Sequence, residues 1–189
     1  MGLVMTPVER SAAGGRSQTT TTERALLREG LLEVLAARRA GADLRAFERR
    51  LRDADLLALG ALADAIRREE AGPAVHVHLD ETPEGALASR GLELLRDVAL
   101  ARVLGPPGAS VCVDFGASGL EIAQVALGFG ANELVGRIAN KRGLPLAEGE
   151  VLGVGKKSRM ELADLVKRRE LEGFVRRAGR TPAFAPEAG

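Results

Sequence analysis

One stretch of the chain, Ser110 to Gly136 (SVCVDFGASGLEIAQVALGFGANELVG), constrains the fold more than any other. Apolar residues alternate from Val111 to Phe115, which is the period-2 pattern of a short strand with one apolar face. Ser118 and Glu121 follow with the spacing of a capping box, so we expect Ser118 to begin a helix. A second strand is predicted over residues 133–138. Strand, helix and strand in this order form a βαβ unit, which implies parallel pairing.

The junction between the first strand and this helix is the candidate ligand site. Asp114 ends the strand and Ser118 begins the predicted helix. In α/β proteins the carboxyl ends of strands and the amino ends of helices bind ligands, especially anionic ones. Asp114 and Ser118 are therefore the candidate ligand-binding residues. The alternative is a helix cap that contacts no ligand. The helix itself is apolar on nearly every side, so we expect it to be covered on more than one side.

Length, charge and cysteine content exclude several classes of protein. The chain has 189 residues, which supports one domain with tails, and a net charge of +1, which argues against strong attraction to nucleic acid or membrane. Its one cysteine, Cys112, excludes an internal disulfide framework and favours a reducing compartment. No apolar run approaches the roughly 20 residues of a membrane span. We expect a cytoplasmic protein with no membrane partner.

The chain as a whole predicts an α/β fold. We expect a small, mainly parallel sheet with flanking helices, resembling a partial (β/α) barrel with helical extensions at both ends. The three predicted strands lie at about 75–79, 110–115 and 133–138. Exposed edges of so small a sheet need a cover, which motivates the hypothesis of a dimer or of pairing with a full-length relative. The predicted divisions are a disordered leader (1–21), a helical region (22–70), an α/β core (74–138), a loop and basic helical region (139–184) and a tail (185–189).

Two helices are predicted before the first strand. One spans Thr22 to Ala40, with Leu27 and Leu31 in its apolar stripe. The other spans about Leu44 to Glu70, is interrupted near Asp55, which can cap a second segment, and contains Gly60, which allows close packing.

The first strand, AVHVHL (Ala74 to Leu79), carries two histidines, His76 and His78, on one face. Two histidines at this spacing can bind a metal, but only Asp80 and Glu81 follow them as further ligands. A covered or solvent-facing strand face is the favoured interpretation, and a pH-dependent interface is a third. We therefore assign no metal.

The segment from Lys156 to Arg180 is basic, with nine Lys and Arg against four Asp and Glu. Such a segment can contact phosphates, but most are solvated helix faces. A phosphate- or nucleic-acid-binding module stays open as an alternative function, although we do not expect a nucleic-acid partner.

Three stretches resemble the radical-SAM enzymes of the futalosine route to menaquinone and their deazaflavin-forming relatives. ADLLALGALADAIRREE (Ala54 to Glu70) is similar to the helix ahead of their barrel. LELLRDVALARVL (Leu92 to Leu104), followed by EIAQVALGFGANELVG (Glu121 to Gly136), is similar to their late barrel. ELEGFVRRAGRTPAF (Glu170 to Phe184) is similar to their closing segment.

The family's catalytic signature is absent. The resemblance implies a Cys-x-x-x-Cys-x-x-Cys motif after AVHVHL, where this chain instead reads DETPEGALASRG. About half a barrel is also missing between Leu79 and Leu92. One cysteine cannot ligate the family's iron–sulfur cluster, so we expect no cofactor and transfer no catalytic residue. The resemblance implies a non-catalytic, truncated homologue that acts as a partner, a regulatory protein or a small-molecule-binding protein. The alternative is an enzyme of the menaquinone or a related pathway, with cluster-free chemistry or an active site that a partner supplies.

Overall fold

The structure of the protein is a computed structural model that describes residues 21–78, 83–136, 138–139 and 166–184. The helices are α1 (Thr21–Arg28), α2 (Leu31–Arg39), α3 (Glu48–Asp53), α4 (Leu56–Glu70), α5 (Gly91–Leu104), α6 (Phe115–Ser118), α7 (Leu120–Ala126) and α8 (Arg168–Arg177), with 3-10 turns at Leu44–Phe47 and Leu127–Phe129. The strands are β1 (Ala74–His78), β2 (Cys112–Asp114), β3 (Glu133–Val135), β4 (Ile138–Ala139), β5 (Val166–Lys167) and β6 (Thr181–Phe184).

Four of the strands form one parallel sheet in the order β2-β3-β1-β6. The register pairs Val77 of β1 with Leu134 of β3 on one side and with Phe184 of β6 on the other. The α/β fold class and the parallel pairing are confirmed. The fourth strand, β6, comes from the end of the described chain, and β4 pairs with β5 in a separate two-stranded sheet.

Both edges of the main sheet are limited by local features. Beside β2, the backbone of Leu87 donates to Cys112 and accepts from Asp114, so one further residue continues the ladder. At the other edge, the N–H of Thr181 donates to the carbonyl of Pro73, inside the sheet. The backbone polar groups of the next residue, position 182, therefore face away from the sheet. Position 182 is proline, which has no N–H to offer another strand. The sheet edges therefore do not require a second chain, and the predicted dimer stays a prediction.

The sheet has one face in the hydrophobic core and one outside it. Val75, Val77, Val113 and Leu134 are buried in a cluster that also includes residues of α1, α2, α4, α5, α7 and α8. We call this side the core face. The alternate residues of the same strands point to the opposite side, because successive side chains of a strand alternate. The helices thus cover the core face and leave the polar residues of the strands to the other face.

The N-terminal helical region differs from the prediction at Gly30. The single helix predicted from Thr22 to Ala40 is two helices, because Gly30 adopts a left-handed conformation with φ of 67°. This break rotates the apolar stripe of α1. Leu26 is buried, whereas Leu27, predicted to lie in the stripe, is 64% exposed.

The start of α4 agrees with the sequence. The carboxylate of Asp55 accepts hydrogen bonds from the backbone N–H groups of Leu57 and Ala58, each at 3.0 Å, so Asp55 is the predicted cap. Gly60 packs against the ring of Phe129, which lies 2.5 Å from the place where a Cβ atom would be. Close packing at Gly60 is therefore confirmed.

The predicted capping box at Ser118 is wrong. Ser118 lies inside the short helix α6, and α7 begins after Gly119, which has φ of 95° and no side-chain cap. Asp114 caps this region instead. Ala123 and Ala126 of α7 are buried, whereas Val125 is 46% exposed, so the helix is not covered all round. In the described part of the chain, no helix combines the length and the apolar character that a membrane crossing needs.

Candidate functional site

The side of the sheet opposite the core face is the candidate site, and we call it the polar face. The register places His76 of β1 and Cys112 of β2 on either side of Glu133 of β3. Two residues further along each strand, His78 and Asp114 lie on either side of Val135. His76 is exposed and His78 is partly exposed. Chemistry-bearing residues from three strands therefore meet on one surface.

A chain of hydrogen bonds crosses this face. Nε2 of His78 lies 3.0 Å from Oε2 of Glu133, and the hydroxyl of Ser110 donates to Oε1 of the same carboxylate. The Glu133 side chain is largely buried, with 14% exposure. Both oxygens of one carboxylate thus have a donor, which fixes the orientation of Glu133 and, through it, the ring of His78.

This arrangement is a carboxylate–histidine pair rather than a nucleophilic triad. An ionised carboxylate only accepts hydrogen bonds, so Nε2 of His78 carries the proton that it shares with Glu133. When the ring is neutral, Nδ1 then has a free lone pair. Ser110 binds the carboxylate and not the imidazole, so the serine–histidine contact of a triad is not formed. The face can accept hydrogen bonds or protons at His78, but it holds no activated serine.

A buried arginine on α5 binds the segment that precedes Glu133. Arg102 on α5 donates to the side-chain oxygen of Asn132 at 2.7 Å and to the carbonyl of Gly130 at 2.9 Å. The same Asn132 oxygen accepts from the backbone N–H of Val111 at 2.8 Å. Burial lowers the pKa of Arg102, although its nearby acids oppose this. Arg102 and Asn132 thus fix the start of β3 against the loop that precedes β2.

The sequence-predicted histidines lie together on the polar face, but they do not gather a metal-binding set. Among the described residues, no group of three or more His, Cys, Asp and Glu side chains could hold a metal ion. Asp80 and Glu81, named as further ligands, lie outside the described residues. The acid that binds His78 is Glu133, which the sequence did not predict as a site residue.

Asp114 and Ser118 lie close together and make local hydrogen bonds. The Asp114 carboxylate accepts from the backbone N–H groups of Gly116 at 2.8 Å and Ala117 at 3.0 Å. The Ser118 hydroxyl donates to the backbone oxygen of Asp114 at 2.6 Å. The Asp114 carboxylate thus occupies the N–H groups that an anionic ligand would need. Ligand binding by these two residues stays a prediction, and the geometry is that of a cap.

The single cysteine is buried and weakly acidic. Burial, together with the nearby Glu133 and Asp114 carboxylates, raises the pKa of the Cys112 thiol to about 12. The thiolate is the form that ligates metals and attacks electrophiles. Cys112 is therefore a poor ligand and a poor nucleophile at neutral pH.

Three arginines in the described part of the basic segment make contacts within the protein. Arg180 binds the Asp64 carboxylate at 2.5 Å, and the guanidinium groups of Arg168 and Arg177 lie over the rings of Phe184 and Phe174. Residues 156–165 of this segment lie outside the described part. Phosphate binding stays a prediction, and Arg180 is not available for it.

Comparisons with known proteins add no relative. No protein-family model matches the chain, and no curated protein matches it. The resemblance to radical-SAM enzymes therefore stays a prediction that rests on the three stretches themselves.

Proposed function

We propose that this chain is a non-catalytic, truncated homologue of the menaquinone-pathway radical-SAM enzymes, and that it binds a small molecule on the polar face. The observation that carries this proposal is the meeting of His78, Glu133 and Ser110 on the side of the sheet opposite the core face. In a barrel of parallel strands the helices cover the outside, so the opposite face corresponds to the interior.

The positions of the resembling stretches support this ancestry. Ala54–Glu70 and Leu92–Leu104 form α4 and α5, which contribute buried residues to the core. Glu121–Gly136 spans α7 and β3, and Glu170–Phe184 spans α8 and β6. In the sheet β3, the strand within the stretch that resembles the late barrel, pairs with β1, as a late strand of a closed barrel lies beside the first.

The cysteine content supports the proposal of a homologue without the family's cluster-dependent catalysis. The chain has one cysteine, and the pKa of its thiol is raised to about 12, so it supplies no set of thiolates for an iron–sulfur cluster. A family activity that depends on a cluster cannot belong to this chain alone.

The test is isothermal titration calorimetry with dehypoxanthine futalosine, the base-free sugar derivative that the family resemblance implies. Binding should be saturable in the natural protein and lost in His78→Leu, which removes the polar ring. Leu57→Ser is the matched control, because Leu57 is exposed on α4 and lies outside the polar face. Failure of the natural protein to bind, or equal binding by His78→Leu, contradicts the proposal.

A cluster-free enzyme is the second candidate, and the carboxylate–histidine pair favours it. A histidine that a carboxylate orients is the usual arrangement of a general base. Mass spectrometry of dehypoxanthine futalosine after incubation with the protein separates the two candidates. Conversion that disappears in His78→Leu would replace the binding protein with an enzyme.

The proposal includes a protein partner, either a second copy or a full-length relative. Light scattering over a dilution series and a pull-down with the full-length enzymes test it. A monomer at every concentration that captures none of these enzymes would remove the partner from the proposal.

A further inference from the structure

The junction between α1 and α2 combines a broken helix with a sequence pattern that favours a continuous one. Leu27, Leu31 and Val34 have the spacing of one apolar stripe on a single helix. The structure instead breaks this helix at Gly30, whose φ is 67°. As a result Leu27 is 64% exposed, whereas Leu31 is fully buried. The break therefore takes Leu27 out of the stripe to which its position in the sequence assigns it.

The break also leaves the beginning of α2 without a side-chain cap. Gly30 occupies the N-cap position and has no side chain that could bind the first N–H groups of α2. A helix that continued from α1 through Gly30 would supply these groups with the carbonyls of the preceding turn. It would also place Leu27 on the face that carries Leu31 and Val34, because residues four and seven apart share a helix face. Both effects favour the continuous helix.

The contacts between α1 and α4 favour the broken form. Leu26 is buried in the core, and it is the one buried residue of α1, all of which is described. Arg28 of α1 and Leu57 of α4 line one groove between the two helices. By contrast, α2 buries three residues, and its Arg38 binds Glu70 at 2.6 Å. α1 can therefore leave its place at a smaller cost than α2.

A second copy of the chain can satisfy both preferences at once. The place on α4 that accepts α1 exists in every copy, and it fits this helix whether the helix comes from the same chain or from another. If the segment from α1 to α2 straightens in two copies, each α1 can bind α4 of the other copy, with Leu26 buried as before. The two-fold arrangement brings the two straightened segments together near Gly30, where Leu27 of both copies can be covered.

We propose that the partner of this chain is a second copy, and that the two copies exchange α1 by straightening the helix through Gly30. The second copy is one of the two partners in the proposed function, on which this inference rests in that respect alone. Gly30 sets the balance between the two forms. Glycine adopts the left-handed backbone of the broken form readily, and it is a poor residue inside a continuous helix. The natural residue at this position therefore limits the exchange.

Light scattering over a dilution series measures the dimer of the natural protein and of Gly30→Ala. Alanine disfavours the left-handed backbone and favours a continuous helix, together by about tenfold in each copy. Because a dimer contains two hinges, its dissociation constant should fall about a hundredfold. Gly41→Ala is the matched control, because Gly41 has φ of 70° and open space around an added Cβ, but it follows α2, where Asp43 caps the next turn. It should leave the dissociation constant unchanged.

Cross-linking identifies the exchanged element. Arg28→Cys and Leu57→Cys are introduced together into a Cys112→Ala chain and joined by a short bismaleimide reagent, since both positions line the groove between α1 and α4. In an exchanged dimer the link joins two chains, which a denaturing gel shows as a band of double mass. In a monomer, or in a dimer with another interface, the link stays within one chain. Chains with either cysteine alone are the controls and should give no such band. This chain keeps Gly30, so it tests the exchange even if Gly30→Ala fails to fold.

The natural hinge should give a concentration-dependent dimer that the cross-link joins, and Gly30→Ala should give more of it. Three results would overturn the exchange. They are a natural protein that stays monomeric at every concentration, a dimer whose link stays within one chain, and a folded Gly30→Ala protein that dimerises no more tightly than the natural one. The proposed function fails separately, because calorimetry tests its ligand. A monomer that captures a full-length enzyme would keep the partner of the proposed function and show that the exchange is wrong.

Discussion

The carboxylate of Asp64 and the guanidinium of Arg180 lie 2.5 Å apart, although 116 positions separate them in the chain. Arg67 and Arg68 bind the same carboxylate, at 3.0 Å and 2.6 Å. Asp64 and Arg180 are each 12% exposed at their side chains. One buried acid on α4 thus binds the residue that precedes β6 and fixes the last strand of the sheet.

Replacement of this acid should destabilise the protein strongly. Asp64→Asn leaves Arg67 and Arg180 buried without their counter-charge, and we expect a loss of about 3 kcal/mol in the free energy of unfolding. Glu69→Gln is the matched control, because Glu69 also lies 2.5 Å from an arginine, Arg39, but both side chains are well exposed. That control should cost less than about 1 kcal/mol. Urea unfolding measures both, and equal losses would show that burial does not decide the energy.

The contact between Gly60 and Phe129 predicts a second loss of stability. A Cβ at position 60 would lie 2.5 Å from the ring, so Gly60→Ala forces the ring or α4 to move. We expect a loss of about 2 kcal/mol from overpacking. Phe129→Leu in the same chain should restore part of it, since a smaller side chain makes room.

Gly128→Ala is the control for that experiment, because no atom lies within 4 Å of the added Cβ. Its unfolding midpoint should stay close to that of the natural protein. If Gly60→Ala also keeps the natural midpoint, the close packing of α4 on the turn at Phe129 is not tight.

The stability of the fold should depend on alkaline pH through Cys112. The pKa of its thiol is raised from 9.0 to about 12, so the folded protein holds this proton more tightly than the unfolded chain. The contribution to stability is fully present below pH 9.0 and is lost as pH rises from there towards about 12. Unfolding midpoints over this range should fall more steeply for the natural protein than for Cys112→Ala. Identical slopes would contradict the raised pKa.

Reaction of the same thiol with a disulfide reagent gives an independent measurement. We expect slow labelling of the native protein near neutral pH and fast labelling in urea, because burial limits both access and the thiolate fraction. Fast native labelling would show that the region around Cys112 opens.

Reconstitution with iron and sulfide under anaerobic conditions should give no cluster. The chain has one cysteine, and its thiol is buried. A full-length radical-SAM enzyme treated in parallel is the positive control. Stoichiometric iron with the visible absorbance of a cluster in this chain alone would end the proposal of a non-catalytic homologue.

The sequence predicts the elements that local patterns determine. Strict alternation predicts β1 and the burial of Val75 and Val77. The place of Asp55 before an apolar run predicts its role as a helix cap. The fold class follows from the order of strands and helices. The break at Gly30 was missed because a glycine within a helical pattern does not reveal whether its backbone is left-handed.

The candidate site was predicted only in part, because it depends on register. Alternation placed His76 and His78 on one strand face. The bond from His78 to Glu133 depends on β1 lying beside β3, which no local pattern specifies. The alternation of Glu133 and Val135 around Leu134 was a signal that could have put Glu133 on the polar face. The place of β6 in the sheet was not predicted, because a four-residue segment has too short a pattern to identify a strand.

The place of β6 in the sheet has a consequence for how the protein is made. Synthesis begins at the amino end, so β1 leaves the ribosome long before β6, whose Pro182 pairs with Val75 of β1. Until then the edge of β1 has no strand on that side, and the Asp64 carboxylate lacks Arg180. An open strand edge in a partly made chain is a place where nascent proteins associate wrongly. We expect the newly made protein to depend on chaperones for this interval.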